Sequence, residues 1–139
     1  MPRLRGQLPD EPPEFFAECS LGGRTVARLL NEAGWTVRGW LEVFPNPTDA
    51  DLADEVWIPA IVDRGWYILT TDKAMRRSPI IRTTIENNEA HVFASTNASL
   101  SAVEQVTRFI AHQDSLYRKT TLRGPVYCTV GADGVRRKF

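Results

Sequence analysis

Short apolar runs alternating with helical patterns set the first limit on what this chain can fold into. Phe15, Phe16 and Ala17 predict a buried strand ending near Glu18. Val26, Leu29, Leu30 and Ala33 then recur at helical spacing until Gly34 stops the helix. Residues 35–40 predict a second strand, followed by a turn-rich stretch around Pro45-Asn46-Pro47. A helix is expected over about residues 49–63, ended by Gly65. Inside it Pro59 removes a backbone donor, so the helix either starts late or kinks. Residues 66–70 predict a strand that delivers Asp72, and Ser78-Pro79 caps a helix running to about Glu89. Residues 91–94 predict a fourth strand. Ser101 and Glu104 form a capping box for one helix to roughly Tyr117, and residues 125–130 and 134–138 predict a terminal hairpin. This rhythm is that of an α/β domain with a mainly parallel sheet.

A chain of 139 residues and 15.7 kDa is one domain by size. Two cysteines, Cys19 and Cys128, exclude a disulfide-dense scaffold. No apolar run approaches the length of a membrane span. The proline-rich first twelve residues read as a flexible lead-in without a signal peptide, which leaves residues 13–139 as the domain and a cytoplasmic setting as the expectation. Basic and acidic residues balance at 17 each, so no global field draws in nucleic acid or membrane. Their distribution is uneven. Residues 42–63 carry only acids, residues 73–82 only cations, and the tail from Arg118 is basic.

Parallel strands put their carboxyl ends on one sheet edge, where ligands of such folds bind; right-handed crossovers are expected between them. Glu18 follows the first strand, Asp72 follows the third, and Asp54 and Glu55 lie near the start of the intervening helix. Clustered carboxylates raise one another's pKa, and a hard divalent cation such as Mg²⁺ or Mn²⁺ resolves the conflict. The competing reading is a set of separately solvated caps and loop acids. Cys19 reads as a small buried apolar residue, and His91 and His112 lack ligand spacing. A receiver-like phosphoacceptor would also use strand-end acids, but the first strand lacks the adjacent acidic pair.

Specific blocks then narrow the choice. Glu18-Cys19-Ser20-Leu21-Gly22, Asp54 followed by Trp57, Gly65-Trp66 leading to Thr71-Asp72-Lys73, and the later RGPVYCTVGADG stretch stand in order along the chain. Over about residues 15–139 this pattern resembles the PIN-like domains of VapC-type toxins, in a subgroup common in actinobacteria. The resemblance implies a three-layer α/β/α fold with a C-terminal hairpin and acids gathered around Mg²⁺ or Mn²⁺. It implies Glu18, Asp54 and Asp72 as catalytic and metal-binding residues, with Glu55 the substitute for Asp54. The family normally has aspartate where Glu18 stands. Its frequent fourth acid has no counterpart at Ser95-Thr96-Asn97.

The function implied is that of a metal-dependent endoribonuclease, the toxin of a type II toxin–antitoxin system. Arg24, Lys73, Arg76 and Arg77 are the expected RNA-backbone contacts. RNA, a cognate antitoxin and a second copy of the chain are the expected partners, and a membrane is not. The alternative is a weakly active or inactive relative that binds RNA or protein on the same edge.

Overall fold

The computed structural model describes residues 6–139; of the expected 1–12 lead-in, residues 1–5 lie outside the described residues. Gly6 is tied to the domain, its N–H donating to Thr121 Oγ1 at 3.2 Å. The sheet has six strands in the order β2-β1-β3-β4-β5-β6. These are β1 (Glu14–Ala17), β2 (Thr36–Gly39), β3 (Tyr67–Thr70), β4 (His91–Ser95), β5 (Val126–Val130) and β6 (Val135–Arg137). All pairings are parallel except the β5–β6 hairpin.

Among the described residues six α-helices flank it: α1 (Thr25–Glu32), α2 (Trp40–Val43), α3 (Asp54–Asp63), α4 (Pro79–Asn87), α5 (Ala102–Ala111) and α6 (Gln113–Lys119). Alternation along each strand sends successive side chains to opposite faces. Phe15, Leu69, Phe93 and Cys128 meet Val26 and Leu30 of α1, Phe109 of α5 and Leu116 of α6. Phe16, Ile68, Val92 and Tyr127 meet Trp40 of α2, Trp57 and Ile61 of α3, and Ile85 of α4. The result is the three-layer α/β/α arrangement that the alternation and the resemblance imply.

Three details differ from the sequence reading. Trp40 opens α2 and does not end a strand; it is buried in either conformation, so hydrophobic pattern alone does not separate the two. The single helix expected to Tyr117 is two helices. At His112 the backbone leaves helical geometry (φ −113°, ψ 21°), and its Nε2 lies 3.0 Å from the Gly131 carbonyl oxygen. The crossovers do not all share one hand. The steps from β3 to β4 and from β4 to β5 run the same way along the sheet, but α4 and α5 lie on opposite faces. The last crossover is therefore opposite in hand to the others, an uncommon arrangement that brings Val106 and Phe109 of α5 onto the apolar face of α1. Helix α3 takes the late start, at Asp54, with Pro59 accommodated inside it.

Candidate active site

Strand order reverses direction at β1 and β3, which leave in opposite senses from the centre of the sheet. The crevice beyond their carboxyl ends is where ligands of open α/β sheets sit. Glu18 immediately follows β1 and Asp72 lies two residues beyond β3, so both acids flank this crevice.

Glu18 is buried, and its carboxylate is saturated by neighbours. Oε1 accepts from Ser20 Oγ and from Thr70 Oγ1, each at 2.6 Å. Oε2 accepts from the Ser20 backbone N–H at 2.9 Å and from Cys19 Sγ at 2.8 Å. Four donors match the roughly four lone-pair directions of a carboxylate. Glu18 thus caps its own 3-10 turn and joins β1 to β3 through Thr70.

Asp72 caps the next turn, with Oδ1 accepting from the Ala74 N–H at 2.9 Å. Asp54 opens α3 and accepts from the Trp57 indole Nε1–H at 2.6 Å through Oδ1. Trp57, one helical turn on, is buried, whereas Glu55 is exposed, so helix phase turns Asp54 toward the edge. Neither Asp54 Oδ2 nor Asp72 Oδ2 accepts a hydrogen bond from a described residue.

Electrostatics tie these acids together. Burial holds the Asp54 carboxyl above the usual range against the Trp57 N–H, which lowers it, and the charges of Asp72, Glu18 and Glu55 raise it further. Among the described residues no three His, Cys, Asp or Glu side chains stand at metal-binding spacing. Cys19 is exposed, not the buried apolar residue that sequence suggested. Partial burial of its sulfur, with the hydrogen bond and charge of Glu18, pushes the thiol up to about 12, so it is no thiolate at neutral pH.

The raised Asp54 carboxyl has a measurable sign. The native state retains a proton that the unfolded chain releases, so stability falls as pH rises from the ordinary aspartate value through the raised one, and stays lower above it. Asparagine keeps the acceptor for Trp57 without the charge. Asp54→Asn, melted in chelator, is expected to flatten that fall and to exceed the wild type in stability at neutral pH. Parallel stability–pH curves for the two proteins would contradict this.

The open cleft over Glu18 and Asp72, whose walls do not include Asp54, is completed by Lys73 and Asn97. Where a fourth acid often stands, Arg108 instead donates from Nη1 to Thr96 Oγ1 at 3.1 Å. Its position on α5, thirteen residues after Ser95, gave no sequence signal for this contact. Lys73 is the expected phosphate contact nearest the acids. Arg76 and Arg77 line a neighbouring pocket, and Arg24, exposed at the start of α1, lines neither.

The PIN like domain family matches residues 13–97, the stretch from just before β1 to just past β4 that carries all three acids. This chain belongs to the PIN-like domain family. It is also 28% identical over 116 residues to a Mycobacterium tuberculosis protein named "Putative ribonuclease VapC45", covering 84% of each chain. The resemblance to VapC-type PIN-like domains therefore holds. No solved structure matches the chain. In this PIN-like domain the matched region ends before α5, α6 and the β5–β6 hairpin.

Proposed function

We propose that this chain is a metal-dependent endoribonuclease that hydrolyses RNA phosphodiester bonds, and that it is the toxin of a type II toxin–antitoxin pair. The observation that carries this reading is that Glu18 and Asp72 flank the strand-order reversal while Asp54, at the start of α3, lies near enough for the charges of both to raise its carboxyl. The family membership and the ribonuclease named among its relatives support it.

The residues fit a hard divalent cation. The donors are carboxylate oxygens, the two aspartates each retain an oxygen that no described residue occupies, and mutual repulsion leaves the set under-neutralised. Asp54 and Asp72 would hold the ion, and Glu18, whose lone pairs are engaged, would act through water or through Ser20 and Thr70. Bound Mg²⁺ or Mn²⁺ supplies water activation and charge stabilisation at the scissile phosphate. Lys73, on the cleft wall, orients the phosphate by charge, and Glu18 fixes the β1 and β3 ends so that Asp72 stays in place. Glu55 remains the substitute ligand only if Asp54 turns away.

One observation favours the alternative of a binding module with little activity: Glu18 spends its carboxylate on internal hydrogen bonds where the family normally has a shorter aspartate. Expression in a bacterial host separates the readings at the cellular level. The wild type is expected to arrest growth, Asp72→Asn to permit it, and co-expression of the adjacent reading frame to relieve the arrest and yield a co-purifying complex. Arrest that neither Asp72→Asn nor the neighbouring frame relieves would remove the toxin assignment.

A further inference from the structure

A second cavity, of about 390 Å³, adjoins the acidic cleft and shares Lys73 with it. It opens on the sheet face that carries α4. Tyr127 and Thr129 of β5 point to that face, and Arg136 lies directly opposite Thr129 in the hairpin. Five cations line it, Lys73, Arg76, Arg77, Arg136 and Lys138, against a single acid, Asp133. None of the five is ion-paired to a described residue, although four other arginines of the chain are. A solvated basic face would explain the charges alone.

Tyr127 is what such a face does not explain. The residue lines the cavity and is fully buried, yet its hydroxyl has no hydrogen-bond partner among the described residues. Buried polar groups are nearly always satisfied, and an orphan at a cavity wall points to a missing occupant. Burial pushes the phenol up to about 12, so it remains an O–H donor, and the charge of Arg76 is felt at it. Cations and a buried donor around one space select an anion with oxygen acceptors. Lys73 stands on the wall of both the acidic cleft and this cavity, so the two are neighbours.

We propose that this cavity seats a backbone phosphate of the single-stranded RNA, beside the nucleotides at the acidic edge, with Arg76, Arg136 and Lys138 on the phosphate oxygens and the Tyr127 hydroxyl donating to them. This rests on the nuclease reading for the identity of the polyanion. The C-terminal hairpin then becomes part of the substrate-binding surface, and its contacts carry affinity without reading bases.

The test is RNA binding by the full chain in chelator, followed by fluorescence anisotropy with a labelled single-stranded RNA of about 12 nucleotides. Arg136→Ala/Lys138→Ala is expected to weaken binding at least about tenfold and to reduce the slope of log affinity against log salt by about 0.7, one phosphate contact on a single strand. Arg118→Ala/Lys119→Ala, which removes the same charge from α6, is expected to change binding by less than about threefold. Tyr127→Phe is expected to weaken RNA binding while leaving the melting temperature of the free protein unchanged or higher, since it deletes an unsatisfied group.

Equal weakening by the two double variants would overturn the proposal in favour of a solvated basic face. So would Tyr127→Phe binding RNA as the wild type does. Inorganic phosphate at millimolar concentration that displaces RNA only weakly supports a strand phosphate; complete displacement, or tighter binding of a polyglutamate peptide than of RNA, would reassign the cavity to a free anion or a protein partner. Hairpin-dependent RNA binding without metal-dependent cleavage would sink the nuclease reading alone, and cleavage with hairpin-independent binding would sink this inference alone.

Discussion

Asp72→Asn is expected to erase the rise in melting temperature that Mn²⁺ or Mg²⁺ gives the wild type. That rise comes from binding linkage and amounts to a few kcal/mol, on the order of 3 at an ion concentration about 100-fold above Kd. The substitution keeps the Oδ1 acceptor for the Ala74 N–H, so the 3-10 turn after β3 survives. What it removes is the charge and the carboxylate oxygen that no described residue occupies and that is proposed to hold the ion. Cleavage of RNA is expected to fall at least about 100-fold, or about 2.7 kcal/mol in barrier. Differential scanning fluorimetry with and without metal checks the first part. A wild type whose melting curve ignores millimolar metal, or an Asp72→Asn variant that responds as the wild type does, would refute it.

Glu18→Ala is expected to be the most destabilising single change at the site. It leaves four donors without their acceptor: Cys19 Sγ, the Ser20 N–H, Ser20 Oγ and the fully buried Thr70 Oγ1. Hydrogen bonds to a charged group contribute about 1.5–3 kcal/mol each; water rescues the exposed donors, and buried Thr70 keeps only the longer contact to Ser20 Oγ at 3.2 Å, so a net loss of about 2–4 kcal/mol is expected. Activity measured well below the lowered melting point is expected to drop at least about tenfold, about 1.4 kcal/mol, because the β1 and β3 ends no longer hold Asp72 in register. Denaturant titration gives the stability. If Glu18→Ala and Glu18→Asp both fold and cleave like the wild type, Glu18 has no part in the site.

The strands and most helices were legible because their signals are local: Phe15-Phe16-Ala17, the β-branched run before Asp72, Ser78-Pro79 and the Ser101–Glu104 box each act within a turn or two. The break at His112 was not, because it depends on the Gly131 carbonyl nineteen residues away. The reversed hand of the last crossover was equally hidden, since it reflects which helix the face of α1 needs. At the site, residue type and strand-end position singled out Glu18 and Asp72, and Trp57 marked Asp54. The saturation of Glu18 could not be read, because Thr70 reaches it from another strand. The basic cavity was missed for the same reason: Arg136, Lys138 and Tyr127 belong to a hairpin that reads as a purely structural element until Arg76 is seen across from it.

On the proposed reading, the Asp54–Asp72 edge cuts RNA with the help of a divalent ion. Purified protein incubated with single-stranded RNA, with Mg²⁺ or Mn²⁺ and with excess chelator, tests it most directly. Internal cleavage is expected with either metal, none in chelator, and none by Asp72→Asn in any condition. RNA left intact by the wild type with both metals, or cut equally by Asp72→Asn, would contradict it.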